Sequence, residues 1–272
     1  MAASLQRPRT HLYGVACEPR RFRLNSLEYF AQSVRTERIR TAAFRAGLAL
    51  LNRNVIRARA ARPIEFVWDG HPLSYLPPSV LTERRVEIPI SVEFLGALPP
   101  LTRALEVGNT VGLYSLRPRE IVDKYEVAPG VRNIDLLDYH PVQRFGAILS
   151  VSTLEHIGYD EPTLEPGKFR ASVRHLRSEC LLPQGRILLT LPLAYNPEVD
   201  EFLRDLPNQE WDVGYLVRQN IFNEWTTVPG PQAFRAASRG KYPGTNAVAV
   251  VQNRLDPTDG LRPSTSNNSR EH

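Results

Sequence analysis

The sequence predicts an α/β protein: a doubly wound, mostly parallel seven-stranded sheet with helices on both faces. Short apolar runs without polar alternation recur between residues 104 and 251, as in strands that are buried on both faces. Helical stretches separate these runs, which is the order typical of a covered parallel sheet. The runs are residues 104–107, 121–122, 131–134, 147–151, 187–191 and 247–251.

The clearest helix is predicted at residues 168–180, because four apolar residues fall on one face at helical spacing. They are Phe169, Val173, Leu176 and Cys180. Sheets of this kind bind ligands at the carboxyl ends of their strands. The residues that follow each strand are therefore the first place to look for chemistry.

The composition is that of an ordinary globular protein. Of 272 residues, 42% are hydrophobic and 23% charged, and no window approaches the roughly 18 apolar residues of a membrane span. Two cysteines, Cys17 and Cys180, cannot build a dense disulfide framework or a four-cysteine zinc site. Since a secretory hydrophobic region is also missing, we expect a cytoplasmic protein that does not act at a membrane.

Three parts of the chain differ in pattern. Residues 1–82 form an N-terminal appendage, in which residues 26–55 have helical periodicity and residues 64–75 resemble a hairpin with a type I′ turn at Asp69-Gly70. Residues 83–252 form the α/β domain. Residues 253–272 are polar and rich in turn-forming residues, so we expect a disordered tail.

Positive charge is concentrated at the N-terminal end. Residues 1–62 contain 13 arginines against three acidic residues, whereas the whole chain has a net charge of only +5. Attraction to nucleic acid is one interpretation. The other is a chain-wide bias, because only three of the 34 basic residues are lysines. The second is favoured, since the segment lacks interleaved aromatic residues and a nucleic-acid motif.

Acidic residues mark the ends of the first two predicted strands. Glu106 precedes a turn that contains Gly108 and Gly112, and Asp123 follows 17 residues after Glu106. A carboxylate at the position of Asp123 can accept both hydroxyls of a ribose, which indicates a nucleoside-containing cofactor. The turn does not match the dinucleotide fingerprint, because Thr110 replaces the middle glycine.

The order of these segments resembles the class I S-adenosylmethionine-dependent methyltransferases, which have a Rossmann-like domain. The resemblance covers about residues 84–251 and extends to an uncharacterised bacterial subgroup that shares the EVGN, VDKYE and STLEH variants and an ERRVEIPI-like helix (83–90). Five segments carry it: LEVGNTVG (105–112), VDKYE (122–126), NIDLLDY (133–139), FGAILSVSTLEHIG (145–158) and LLPQGRILLTLPL (181–193).

The resemblance implies a binding role for residues after each strand. Glu106 would hold the methionine amino group, Gly108 and Asn109 would lie against the methionine moiety, and Asp123 would bind the ribose. Asp135 would accept from the adenine amine. The remaining cofactor residues are Leu136 as an apolar wall or backbone donor, and Ser150, Ser152 and Leu154 on the sulfonium side. Taken singly, a strand-end acid is as often only a helix cap or a solvated ion pair.

His156 is the candidate general base, because it follows the fourth strand with Glu155 and Asp160 near enough in sequence to orient it. The alternative is that His156 only packs or caps the start of a helix. Tyr195 and Asn196, just after the fifth strand, are candidate acceptor contacts. For these two residues the alternative is a turn before a helix that begins at Pro197.

The predicted function is transfer of a methyl group to an oxygen or nitrogen of a small or medium-sized acceptor, such as a sugar or a natural-product intermediate. The appendage would shape the acceptor pocket or form a homodimer contact. Two alternatives stay open: a methyltransferase that acts on RNA or another macromolecule, and a non-catalytic binding protein with a degenerate cofactor loop. No metal site is expected, because the histidines and cysteines show no ligand spacing.

Overall fold

The computed structural model describes most of the chain from residue 64 onward. The described residues are 64–68, 71–75, 82–112, 114–207, 209–242 and 244–254. The helices predicted within residues 26–55, the residues of the hairpin turn and the tail after residue 254 lie outside these ranges. Those expectations stay predictions.

The predicted hairpin is present and packs against the larger sheet. Strands β1 (Ile64–Trp68) and β2 (His71–Tyr75) pair in antiparallel register with Trp68 opposite His71. The ring of Trp68 lies over Gly214, where an added Cβ would come within 2.3 Å of it. Thr227 donates a hydrogen bond of 2.9 Å to the carbonyl of Val67. The hairpin is thus fixed to one end of the main sheet.

The main sheet has eight strands in the order β5-β4-β3-β6-β7-β10-β8-β9. Neighbouring strands from β5 to β7 are parallel, and the remaining pairs are antiparallel. The strands are β3 (Ala104–Val107), β4 (Glu120–Val122), β5 (Val131–Arg132), β6 (Phe145–Val151), β7 (Leu181–Pro192), β8 (Trp211–Arg218), β9 (Trp225–Val228) and β10 (Ala247–Asn253).

The doubly wound α/β prediction is confirmed, with eight strands instead of seven. All six apolar runs are strands, although β5 ends at Arg132 and β7 begins as early as Leu181. The apolar runs did not include β8 and β9. These two strands lie at the antiparallel end, and their partly exposed polar residues interrupt any apolar run. β10 includes Asn253, whose side chain bonds to the backbone of Gly185 and Ile187.

Helices cover both faces of the sheet, as predicted. The helices are α1 (Arg84–Gly96), α2 (Lys168–His175), α3 (Pro197–Asp205) and α4 (Gly230–Arg239). Successive residues of β6 face opposite layers, since Ile148 joins the core with α2, α3 and α4 and Leu149 joins the core with α1 and the hairpin. Within the described ranges, no helix is long and apolar enough to cross a bilayer.

The helix predicted at residues 168–180 is present in two parts. α2 continues into one π-helical turn, Leu176–Cys180, and strand β7 follows directly. Phe169, Val173, Leu176 and Cys180 are all buried in the same core, as the spacing predicted. Its first residue, Lys168, forms ion pairs with Asp135 and Glu161.

Candidate functional site

A cavity of about 490 Å³ lies at the carboxyl ends of β3, β4 and β6. The chain moves outward from β3 to β5 and then returns to place β6 on the other side of β3, so this edge is the switch point where such folds bind ligands. The volume is in the range of small-molecule sites. Its lining consists of Val107, Gly108, Val122, Asp123, Lys124, Tyr125, Glu126, Ile134, Asp135, Leu136, Ser152, Thr153, His156, Ile157, Asp160 and Glu161.

A larger groove of about 1380 Å³ lies at the opposite edge of the sheet. It is lined by residues from the start of β7 and β8, and four of its charged groups form two ion pairs, Arg177 with Glu210 and Arg254 with Asp212. Ligands of doubly wound sheets bind at the carboxyl edge. The smaller cavity is therefore the candidate site.

Glu106 is fully buried and anchors the loop that follows β3. One carboxylate oxygen accepts hydrogen bonds from the backbone N–H groups of Thr110 (2.7 Å) and Val111 (2.6 Å), and the other pairs with Arg119. Glu106 is not one of the described residues that line the cavity. Both of its carboxylate oxygens are engaged within the chain, and they fix the shape of the loop.

Gly108 brings the backbone to the cavity wall. Its φ of +82° is in the left-handed region, and an added Cβ would lie 2.2 Å from Oγ1 of Thr153. Only glycine fits both conditions. Asn109 is not among the described lining residues, and its side chain donates to a carboxylate oxygen of Glu126 at 2.7 Å. Of the two loop residues predicted to contact a ligand, the structure places Gly108 at the cavity.

Asp123 combines a turn cap with a free oxygen. Its Oδ1 accepts from the backbone N–H groups of Tyr125 and Glu126, each at 2.8 Å. Its Oδ2 accepts no hydrogen bond from any residue that the structure describes, and the side chain lines the cavity. A fixed carboxylate with one free oxygen at a strand end is suited to binding vicinal hydroxyls.

Asp135 belongs to an ion cluster that the sequence did not predict. Its Oδ2 accepts from Lys168 (2.9 Å) and Lys124 (3.0 Å), and its Oδ1 accepts from the backbone of Leu137 (3.1 Å). Glu161 pairs with the same two lysines. Both oxygens of Asp135 are therefore already engaged on the cavity wall. Leu136, the next residue, supplies a buried apolar surface there.

A compositional signal could have found this cluster. Lys124 and Lys168 are two of only three lysines in a chain whose other 31 basic residues are arginine. A compact ammonium can contact several carboxylates at once, whereas a planar guanidinium cannot do so in the same space. The two rare lysines mark the point where several carboxylates meet.

We expect Asp135→Asn to remove acid-sensitive stability. Burial opposes ionisation of Asp135, but hydrogen bonds from Lys168 and Lys124 outweigh it and lower its pKa to about 2. A lowered folded-state pKa stabilises the protein above the ordinary value of 3.8, and this stability is lost as the pH falls towards 2. The variant should be less stable by roughly 1 to 2 kcal/mol near neutral pH, measured by urea unfolding.

The matched control is Asp138→Asn, a nearby exposed carboxylate. It should leave the unfolding free energy within about 0.5 kcal/mol of the original. Equal slopes of stability against pH in the original protein and Asp135→Asn would contradict the assignment.

Of the three residues predicted on the sulfonium side, only Ser152 lines the cavity. Its backbone is in the left-handed region with φ of +41°, and its hydroxyl donates to buried Glu87 of α1. Ser150 is buried and donates to the carbonyl of Val107 at 3.1 Å. Leu154 is fully buried in the core. Ser150 and Leu154 therefore support the wall and do not form it.

His156 ends a short 3₁₀ turn, Leu154–His156, and its imidazole lies between two carboxyl groups. Nδ1 hydrogen-bonds to Asp160, and Nε2 lies 3.5 Å from Oε1 of Glu155. The imidazole is about half exposed and lines the cavity. With the Nδ1 proton donated to Asp160, Nε2 is left as the basic atom.

Glu155 is a buried acid that forms no ion pair with a lysine or arginine among the described residues. Its side chain is 1% exposed, and its Oε2 has no hydrogen-bond partner. Burial raises the pKa of Glu155 well above its ordinary value, because a buried carboxylate loses its hydration. Sequence reasoning gave Glu155 only a role in orienting His156.

Tyr195 and Asn196 have different roles. The hydroxyl of Tyr195 donates to Asp160 and lies 3.2 Å from Nδ1 of His156, so Tyr195 joins the group around the imidazole. Asn196 is buried and caps α3, where its Oδ1 accepts from the backbone of Glu198 at 2.9 Å. The predicted alternative, a turn before a helix starting at Pro197, describes Asn196 correctly.

Comparisons with known proteins give structural likenesses at low sequence identity. No family model matches the chain, and no curated protein matches it. Among solved structures, an rRNA methylase from Streptococcus thermophilus is similar over 62% of this chain and 97% of its own length, with 10% identity and a TM-score of 0.41.

Two other likenesses are of the same order. A SAM-dependent methyltransferase from Archaeoglobus fulgidus is similar over 60% of this chain and 90% of its own, with 12% identity and a TM-score of 0.39. The N-methyltransferase NodS from Bradyrhizobium japonicum, in complex with S-adenosyl-L-homocysteine, is similar over 57% of this chain and 78% of its own, with 9% identity and a TM-score of 0.36. At such values the likenesses do not define a family for the chain.

Proposed function

We propose that the chain is an S-adenosylmethionine-dependent methyltransferase that acts on an oxygen or nitrogen of a small or medium-sized acceptor. The observation that carries the proposal is the cavity at the switch point, where Asp123 offers a free carboxylate oxygen and Gly108 brings the backbone to the wall. This arrangement suits a nucleoside with an attached chain, and the order of the sequence motifs favours the same cofactor.

The residues of the cavity fit S-adenosylmethionine in chemistry as well as in size. Asp123 would accept from the ribose hydroxyls, and the apolar side chains of Ile134 and Leu136 would lie against the adenine. The methionine end would lie against the backbone of Gly108, which lines the cavity beside Thr153. When bound, S-adenosylmethionine supplies an electrophilic methyl group whose bonding electron pair stays on the sulfur.

His156 would act on the acceptor. Asp160 accepts a hydrogen bond from Nδ1–H and fixes the orientation of the ring. Nε2 can then take a proton from the acceptor atom, and the electron pair of the broken bond stays on the acceptor atom as its nucleophilic lone pair. Half of the imidazole is exposed, and the proton can therefore pass to solvent. Ser152 and Glu87 would shape the wall next to the reacting atoms.

Calorimetry with S-adenosylhomocysteine tests the cofactor half of the proposal. We expect saturable binding at one site per chain. No binding by the folded chain would contradict the proposal and would favour the non-catalytic alternative, which rests on Thr110 in place of a glycine.

The arginines of residues 1–62 favour a second candidate, a methyltransferase acting on RNA. We expect them to be mainly surface charge, so that RNA binding is weak near physiological salt. Phosphate contacts would lower the logarithm of affinity by about 0.9 per log unit of salt for each phosphate. Filter binding of an RNA hairpin at several salt concentrations measures this slope.

The decisive comparison is between the full chain and a chain lacking residues 1–62. Micromolar RNA binding with a steep salt slope, abolished by the deletion, would contradict our ranking and promote the macromolecular enzyme. The cofactor affinity of the shortened chain, measured in parallel, reports whether it is folded.

A further inference from the structure

His156, which lines the cavity, belongs to an aromatic cluster. The cluster consists of His156, Tyr159 and Tyr195. The ring centroids of His156 and Tyr195 are 5.0 Å apart, and those of Tyr159 and Tyr195 are 5.7 Å apart, both with edge-to-face geometry. Tyr159 is 39% exposed and Tyr195 41% exposed. Ring surface thus remains available beside the cavity.

Carboxyl groups accompany this cluster without matching cations. Asp160, which lines the cavity, bonds to His156 and Tyr195. Glu155 lies on the other side of the imidazole, nine-tenths or more buried, with an unpartnered oxygen. In the described part of the chain, no lysine or arginine forms an ion pair with either residue.

The carboxylates of Asp135 and Glu161, which line the same cavity, show the contrast. Each is paired with Lys124 and Lys168, so that these two carboxylates have cationic partners within the chain. An incoming cation therefore gains free energy at Asp160 that it does not gain at Asp135 or Glu161.

We infer that His156, Tyr159, Asp160 and Tyr195 form an acceptor subsite for an organic ammonium group, that is, for an aliphatic amine. A carboxylate next to exposed tyrosine faces is the arrangement that binds organic cations, by charge and by cation–π attraction. The ammonium would supply the counter-charge that Asp160 lacks. An uncharged hydroxyl acceptor gains only a hydrogen bond to Asp160, and an anionic acceptor is repelled by the carboxylate.

The inference rests on the proposed function and makes its acceptor more specific. An ammonium nitrogen has no lone pair, so it must lose a proton before it can act as a nucleophile. In that step an N–H bond breaks, its electron pair stays on nitrogen, and the proton moves to Nε2 of His156. The half-exposed imidazole then releases the proton to solvent.

Binding of benzylammonium to the full chain saturated with S-adenosylhomocysteine tests the inference, with benzyl alcohol as the uncharged probe. Saturation-transfer NMR titrations give both affinities. We expect benzylammonium to bind at least about tenfold more tightly than the alcohol, and Asp160→Asn to weaken it about 10- to 100-fold, the range for hydrogen bonds to a charged group. Affinity for S-adenosylhomocysteine should stay within about twofold, which shows that the variant is folded.

Two further variants sharpen the test. Asp212→Asn, on the opposite edge of the sheet, removes a carboxylate of the same type and should leave benzylammonium affinity unchanged. Tyr195→Phe keeps the ring and should retain most of the affinity, whereas Tyr195→Leu should lose several-fold because the ring face is gone.

Three results would overturn the inference: equal affinities for benzylammonium and benzyl alcohol, no effect of Asp160→Asn, or no binding of benzylammonium. A fourth is that Asp160→Asn leaves amine binding unchanged and weakens the binding of S-adenosylmethionine but not of S-adenosylhomocysteine. The carboxylate of Asp160 would then bind the sulfonium group. If the chain binds no S-adenosylhomocysteine, the proposed function fails. Benzylammonium binding to the ligand-free chain that depends on Asp160 would still support the cation subsite.

Discussion

His156→Ala should lower the rate of methyl transfer by roughly 100- to 10,000-fold, the usual contribution of a positioned general base. The affinity for S-adenosylhomocysteine should be nearly unchanged, because the imidazole is held by Asp160 and Tyr195 on the acceptor side. Turnover and thermal midpoint are measured on one preparation. A lowered midpoint with intact turnover in the folded fraction would instead establish His156 as a packing residue.

His175→Ala is the matched control for this experiment. His175 is the last residue of α2, and its Nε2 hydrogen-bonds to the backbone carbonyl of Tyr139 at 2.8 Å. His175 is not among the residues that line the cavity. Its loss should cost stability of about 0.5 to 2 kcal/mol and leave turnover per folded molecule unchanged. The pair of variants separates a chemical role from a structural one.

Asp123→Ala should weaken binding of S-adenosylhomocysteine by roughly 1.5 to 3 kcal/mol, the range for hydrogen bonds to a charged group. This corresponds to about 10- to 150-fold in the dissociation constant. The physical reason is the free Oδ2 at the cavity, which the alanine removes. Calorimetry measures the change, and circular dichroism confirms that the variant is folded.

The same substitution also removes the turn cap, so a second variant is needed. In Asp123→Asn the side-chain oxygen can still accept from the backbone of Tyr125 and Glu126. We expect this variant to keep its thermal midpoint but to bind several-fold more weakly than the original, since the charge is lost. Unchanged cofactor affinity in the folded alanine variant would remove Asp123 from the site.

The central parallel strands β3 and β6 could be predicted from the sequence because both of their faces are buried. Ile148 and Leu149 belong to different cores, so β6 has no polar face and appears as an unbroken apolar run. Strand β8 is partly exposed and contains Asp212 and Gly214. Because these two residue types are typical of turns, the segment does not have the pattern of a strand. Burial on both faces therefore decided which strands could be predicted from the sequence.

The site was predictable only in part, for a related reason. Strand-end residues such as Gly108 and Asp123 follow directly from the strand positions, and both line the cavity. Contacts between distant segments leave no local pattern: Glu87 meets Ser152 across 65 residues. The buried polar groups therefore became visible only in three dimensions.

The anchored loop after β3 has a consequence for conformational entropy. Glu106 holds the amides of Thr110 and Val111 through hydrogen bonds within the chain. Fixing a mobile residue costs about 1 to 2 kcal/mol, and a ligand that docks on Gly108 does not have to meet that cost for this loop. Residues such as Thr110 and Val111 also have fewer accessible conformations than glycines. Exchange of one ligand for another at the cavity would thus not require reordering of this part of the wall.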